Sequence, residues 1–260
     1  MAKFSVIPNL LPYSDPRYKK WRRSLKKRSA PWNKGFTKDN HPSVLKISRT
    51  FKNKQMDNFK KWRDKMKETG KIRSDYPRFS KNGDLAELIG VVLGDGHIET
   101  FPRSESIAIF CNTRNKGFIK RYKNLMQMFF EKEPHEAKVG LNGGCTRIRL
   151  YQNNISERLG IPTGNRGDIN FQTPRWILKN KEYLKRYLRG LYEAEGSFCV
   201  HKPTSTYKFL FSNRNESLLN NVHDGLVILG FHPHRSKYQI QVSKKEEVYR
   251  IKKLLDFREY

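Results

Sequence analysis

From residue 84 onward, apolar positions repeat first with helical and then with strand periodicity, and this order occurs twice. Leu88-Ile89-Gly90-Val91-Val92-Leu93-Gly94-Asp95-Gly96 and Leu188-Arg189-Gly190-Leu191-Tyr192-Glu193-Ala194-Glu195-Gly196 each read as an apolar helix with small residues four apart, ended by a carboxylate and then a glycine. Asp84 with Glu87 three positions on predicts a capping box for the first helix. After Gly96 come a strand at His97-Ile98-Glu99, a turn at Pro102 and a strand from Ser106 to Cys111. An amphipathic helix through Phe118, Tyr122, Leu125, Met126 and Phe129 follows, then two strands around Gly143-Gly144 and a helix leading to Gly160. The second half repeats the order. Gly196-Ser197-Phe198 opens a strand, Phe209 to Asn215 matches Phe110 to Arg114, and a helix runs through Leu218, Val222, Leu226 and Leu229. Strands around Pro233 and at Tyr238 to Val242 and a helix from Lys245 complete it. The pattern predicts an α+β fold of two αββαββα repeats, at 84–160 and 183–260, joined by a connector at 161–182.

Small residues at i and i+4 lie on one helix face and let two backbones approach closely, so Gly90 and Gly94 are expected against Gly190 and Ala194. That contact brings Asp95 and Glu195 together. Each carboxylate faces the negative end of its helix dipole, a penalty of roughly 0.3–1 kcal/mol that a bound cation reverses.

Residues 1–80 are different in kind. They carry 23 Lys/Arg against 6 Asp/Glu, a charge of +17 out of +28 for the whole chain. Such an excess points to a polyanion, most simply nucleic acid, and the segment lacks the broad apolar face a membrane surface requires. Residues 1–30 read as a mobile or weakly helical basic arm. Pro31-Trp32-Asn33-Lys34-Gly35 reads as a turn before a short basic helix, either a DNA-contacting element through Trp32, Asn33 and Lys34 or simply a loop anchor. Phe59, Trp62 and Met66 mark a helical stripe, read as packing, among lysines and arginines, and 73–83 reads as a linker. The 1–80 extension is thus basic and mostly helical. No apolar run approaches a membrane span and Pro8, Asn9 and Pro12 break the amino-terminal stretch, so a soluble, intracellular protein of cytoplasm, nucleoid or organelle matrix is expected. Cys111, Cys145 and Cys199 show no zinc spacing and are expected as reduced, buried thiols.

The two helix-end motifs, their spacing, and the segments Leu159-Gly160-Ile161-Pro162-Thr163-Gly164 and Pro174-Arg175-Trp176-Ile177 resemble the LAGLIDADG homing endonucleases over about 175 residues. Leu93 stands where the family's earlier acidic residue falls, and Glu193 occupies that position in the second copy. The stretch around Trp32 looks like small modular DNA-binding motifs attached to nucleases. The resemblance implies a single-chain, monomeric, metal-dependent enzyme in which Asp95 and Glu195, with the carbonyls of Gly94 and Ala194, hold Mg²⁺, with Mn²⁺ as a substitute. Such sites need only one or two protein carboxylates. It also implies a lysine or glutamine near each scissile phosphate. The repeat alignment offers Lys244, otherwise a solvated surface lysine, and Gln152 for that role. His232 and His234 lack a third metal partner and read as surface loop.

The strands would form a DNA face carrying Arg103, Arg147, Arg149, Lys202, Lys208, Arg214, Lys237, Gln239 and Gln241, where arginine suits guanine and glutamine adenine. Paired Arg147 and Arg149 in one half against Gln239 and Gln241 in the other predict a long, asymmetric double-stranded target. The main expectation is a site-specific double-strand DNA endonuclease of the intron-homing kind. The alternative is an intron RNA maturase or a non-cleaving regulator of the same fold, with intron RNA as partner for the former. An intein is disfavoured, because the chain starts Met1-Ala2 and ends Phe257-Arg258-Glu259-Tyr260 without a His-Asn ending. A structural basic protein explains the charge but not the duplication.

Overall fold

A computed structural model describes residues 14–27, 29–57, 59–71, 73, 75–140, 143–164, 167 and 169–260. Residues 1–13 and Arg28 of the expected basic arm lie outside the described residues. The chain forms two units, 1–74 and 75–260.

In the first unit the described part of the basic arm is helical: α1 (Pro16–Lys26) starts at Pro16, whose missing N–H costs a helix nothing there, and is capped by the Asp15 side chain accepting from Arg17 N. The expected turn is present, closed by Lys34 N donating to the Pro31 carbonyl at 2.9 Å and by Phe36 N donating to the Asn33 carbonyl at 3.1 Å. Gly35 takes φ +84°, a conformation glycine adopts without penalty. α2 (Pro42–Asn53) follows, with the His41 ring accepting from Ser43 N and standing 4.4 Å from the Phe36 ring. α3 (Lys60–Glu68) completes the unit. Its stripe is not the packing face expected from periodicity, since Phe59 and Trp62 are exposed.

The second unit runs α4 (Gly83–Asp95), β1 (Gly96–Phe101), β2 (Ser104–Asn112), α5 (Lys116–Phe130), β3 (His135–Val139), β4 (Cys145–Gln152) and α6 (Ile155–Leu159). After the short α7 (Arg175–Leu178) it repeats as α8 (Lys181–Glu195), β5 (Gly196–His201), β6 (Thr206–Ser212), α9 (Glu216–Ile228), β7 (His234–Ser236), β8 (Gln239–Val242) and α10 (Lys245–Leu254). Both antiparallel sheets have the same strand order, β1-β2-β4-β3 and β5-β6-β8-β7. The αββαββα duplication is therefore present in the topology as well as in the sequence.

Asparagine starts each of the longer helices that frame the repeats. Asn82 accepts from Leu85 N, Asn115 from Phe118 N, Asn180 from Glu182 N and Asn215 from Leu218 N. The capping box expected at Asp84 and Glu87 does not form. Instead Glu87 is buried and its carboxylate receives Arg121, at 2.8 Å from Nη2, and Arg186, at 2.5 Å from Nε. Residues 75–82, at the end of the expected linker, are also tied in: Arg158 donates to the Pro77 carbonyl and lies 3.9 Å from the Phe79 ring.

The core lies between the sheets and the helices. It joins Leu88, Ile89, Val91 and Val92 of α4 with Tyr187, Leu188, Leu191 and Tyr192 of α8, and with Ile107, Ile109, Ile148, Phe209, Phe211 and Ile240 of the strands. Each fully buried side chain of this kind contributes roughly 1.5–3 kcal/mol. Glycine removes what would keep α4 and α8 apart. A Cβ on Gly90 would stand 3.1 Å from Leu191 N and 3.2 Å from Gly190 Cα, and one on Gly190 would stand 2.7 Å from Val91 N.

Candidate functional site

α4 and α8 end together. A Cβ on Gly94 would overlap that of Ala194 and lie 3.6 Å from Glu195 Cγ, so Glu195 packs beside the residue preceding Asp95. Both carboxylates are half-buried. Strands begin at the next residue, and the reversal demands glycine: a Cβ on Gly96 would stand 2.5 Å from Val92 Cα, and one on Gly196 2.7 Å from Tyr192 Cδ1. Because each helix stops there, no residue further along supplies the i+4 N–H for the carbonyls of Gly94 and Ala194. Two hard carboxylate oxygens at the negative ends of two helices form a donor set that suits a hard divalent cation. Among the described residues no group of three or more His, Cys, Asp or Glu is placed to hold a metal ion.

The register shows how the halves correspond. Gly96 pairs with Ile109 and through it with Ile148, while Gly196 pairs with Phe211 and through it with Ile240. Arg147 is thus equivalent to Gln239, Arg149 to Gln241 and Gln152 to Lys244. This register, in which Ile109 is equivalent to Phe211, replaces the match of 110–114 with 209–215 read from the sequence. The β5–β6 turn spans 202–205 against 102–103 in the first half, and the stretch from the partner of the motif glycine to the next helix is shorter by the same two residues, Phe211 to Glu216 against Ile109 to Lys116.

Gln152 and Lys244 do not reach the carboxylates. Gln152 lies four residues past Ile148, about 13 Å along β4 and on the core-facing parity, and Lys244 takes the equivalent position two residues beyond the end of β8. Gln152 donates to the Phe130 carbonyl at 3.0 Å and accepts from Arg158 Nη1 at 2.5 Å, so both ends of its amide are bound at the far end of the sheet. Lys244 precedes α10, exposed, with Nζ 3.6 Å from Glu247.

Residues at the other end of the sheet stand closer, and the periodicity did not single them out. Asn213 donates from Nδ2 to Glu195 Oε1 at 3.4 Å, and its own backbone N–H donates to the Tyr238 carbonyl. The equivalent position in the first half is Cys111, whose thiol is pushed up to about 12 by burial and by neighbouring Cys145 and Asp95. The signal for both was the strand register, two residues past the partner of the motif glycine. Glu195 and Asn213 share a cleft of about 610 Å³ with Leu93, Arg214 and Gln239. The structure thereby gathers two of the expected DNA-face residues around one carboxylate.

On the outer face of the first sheet, pairing aligns Glu99, Ser106, Arg147, Arg149 and Tyr151 on one side. On the second, Lys208, Gln239 and Gln241 share a face. Arg103, Lys202 and Lys237 occupy exposed hairpin turns. Cys199 is exposed on that second face, contrary to the expected buried thiol, because its position alternates with core-facing Phe198 and Val200. His232 binds Glu247, with Nδ1 2.8 Å from Oε1. Glu193, in the position of the earlier motif acid, is held away from the helix end by Arg258 N at 2.6 Å and by the Tyr260 hydroxyl. In the first unit Trp32, Asn33 and Lys34 are exposed, and Trp32 lines a groove of about 480 Å³ with Ile47 and Phe51. Among the described residues no helix is long and apolar enough to cross a membrane.

No family model matches the chain. Among curated proteins it is 25% identical over 190 residues to the tRNA-splicing ligase RtcB of Methanopyrus kandleri, covering 66% of this chain and 19% of that protein. It is 21% identical over 198 residues to WhiA of Clostridium acetobutylicum, covering 69% of this chain and 61% of that protein. The chain spans about one fifth of the ligases it matches. Among solved structures, I-DmoI in complex with DNA and Mn is 18% identical with a TM-score of 0.47, covering 66% of this chain and 96% of that one. The N-terminal LAGLIDADG domain of WhiA is 15% identical with a TM-score of 0.46, covering 72% and 87%. Structures of LAGLIDADG homing endonucleases and of the WhiA LAGLIDADG domain are what this chain is similar to, over about two thirds of its length.

Proposed function

We propose that this chain is a site-specific double-strand DNA endonuclease that hydrolyses phosphodiesters with a divalent metal, Mg²⁺ by preference and Mn²⁺ as substitute. The observation that carries the reading is the glycine-lined crossing of α4 and α8, whose last residues are Asp95 and Glu195, with Glu195 packed against Gly94. A divalent cation bound there supplies an activated water and neutralises charge on the phosphate. Asp95 and Glu195 hold it, assisted by the carbonyls of Gly94 and Ala194. Asn213 orients the Glu195 carboxylate. Arg147, Arg214, Lys208, Gln239 and Gln241 contact the duplex from the sheet faces, and Trp32, Asn33, Lys34 and the basic helices of the first unit add contacts that orient the protein without reading sequence. Because Arg147 corresponds to Gln239 and Arg149 to Gln241, the two halves of the site should differ in sequence.

The test is incubation with a DNA library and Mg²⁺ followed by mapping of the cut ends. A long, lopsided site is expected, and a perfect palindrome as best substrate would contradict the asymmetry. A second reading, a non-cleaving regulator or RNA-binding protein of the same fold, is favoured by one observation: neither Lys244 nor Gln152 is near the carboxylates. Binding without cutting in either metal would support it. The ligase and aminotransferase relatives are matched over less than a quarter of their lengths under unrelated names, which supports a shared module rather than ligase or aminotransferase chemistry.

A further inference from the structure

An arginine that reads guanine uses two adjacent N–H groups as a fork, and both forks of a guanidinium include Nη2. In Arg149 that nitrogen is already committed. Nη2 donates to Glu99 Oε2 at 2.7 Å and to Ser106 Oγ at 2.9 Å. The plane is fixed by Tyr151, whose ring centre lies 4.6 Å from Cζ, and by Phe101 at 5.7 Å. Nε is buried and, among the described residues, has no acceptor. The Arg149 side chain is only 17% exposed while Glu99 is 46% exposed, so the carboxylate is the partner that can swing into water. Glu99 lies on β1, which has a neighbour on one side only. The second half has no counterpart to this pair, because Cys199 occupies the position of Glu99 and Gln241 that of Arg149.

We propose that Glu99 is a specificity-determining latch that occupies the Arg149 guanidinium in the free protein, so that DNA gains this arginine only by displacing a carboxylate. The proposal rests on the DNA-binding reading above. A backbone phosphate met at random exchanges one anion for another with little gain, whereas a duplex that also fits the neighbouring Arg147 completes the exchange. Glu99 thereby lowers affinity for random DNA more than for the cognate site.

The test needs no cleavage. Affinity for a random-sequence duplex is measured by fluorescence anisotropy without divalent metal, across a salt series, for the wild type, Glu99→Gln, Arg149→Met and the double variant. Glu99→Gln should bind random duplex roughly two- to fivefold more tightly at low salt, in line with loss of a partly exposed ion pair. Its salt slope should steepen by about one unit, the signature of one more neutralised phosphate. In the Arg149→Met background the same substitution should change neither quantity. A gain of equal size in that background would reveal a general field effect and overturn the latch. No gain in Glu99→Gln while the wild type binds duplex would overturn it as well. Failure of every variant, wild type included, to bind duplex would overturn the DNA-binding reading and the latch with it.

Discussion

Replacing Gly190 with alanine sets two magnitudes against each other. In a solvent-exposed helix the change stabilises by about 1 kcal/mol. At this crossing the added Cβ would stand 2.7 Å from Val91 N and 3.1 Å from the Glu87 carbonyl carbon, and nearer still to the Glu87 oxygen, where ordinary contact begins at about 3.4 Å. The obstacles are backbone atoms, which no rotamer change removes. Relief requires α4 and α8 to separate by more than 0.7 Å, which is the shortfall between 2.7 and 3.4 Å at Val91 N alone, because the Glu87 oxygen is nearer. α4 is buried from Leu85 to Gly94, so the gap opens along its length, and a gap of roughly that size forfeits a quarter to a half of each dispersion contact across it. Overpacking of this kind costs up to about 3 kcal/mol, which leaves the variant about 2 kcal/mol less stable after the helix gain. Urea unfolding followed by circular dichroism measures the difference. Gly225→Ala, whose Cβ meets only leucine side-chain atoms at 3.2–3.4 Å, is the control and should be close to neutral. A Gly190→Ala protein as stable as the wild type would refute the close-crossing argument.

Two further outcomes follow from charge. Burial would raise the Glu87 carboxyl, but the Arg121 hydrogen bond and the charges of Arg186, Arg121 and Arg189 outweigh it and hold it below its ordinary 4.5. Its contribution is therefore present above pH 4.5 and lost as pH falls through the lower folded value. Glu87→Gln should cost roughly 3 kcal/mol near neutrality, at the low end for a broken buried pair because Arg121 and Arg186 keep about a third of their surface in water. It should also flatten the acid limb of stability below pH 4.5; an unchanged limb would remove Glu87 as its cause. Glu193, raised by burial against its Tyr260 and Arg258 hydrogen bonds, acts with opposite sign, its protonated form being favoured by folding. Deleting residues 1–74 should weaken duplex binding and flatten its salt dependence, because that unit carries most of the positive charge. An unchanged slope in a titration would show that the unit does not touch DNA.

The helix pair was legible because glycine spacing leaves a one-dimensional trace: Gly90, Gly94, Gly190 and Ala194 lie on one face at any register. The supporting residues were not, because their positions depend on turn lengths. Two extra residues in the 202–205 turn shift β6 against its counterpart and hide the equivalence of Cys111 with Asn213. Gln152 and Lys244 aligned with each other correctly, but distance from the carboxylates follows from strand direction, which alignment of the halves does not report. Glu87 had the spacing of a capping box and the burial of an ion-pair centre; the arginines that decide between them, Arg121 and Arg186, are distant in the chain. Arg149 was legible as a residue of the outer face, whereas its engagement with Glu99 required the register of β1 on β2.

The central claim is that the carboxylates delivered by α4 and α8 cut DNA. It is tested most directly with Asp95→Asn, which removes one charged ligand with little change of shape, assayed in parallel for binding and for cleavage of a library-selected duplex in Mg²⁺. The account predicts retained binding and loss of cutting. Cutting by Asp95→Asn at the wild-type rate would contradict it.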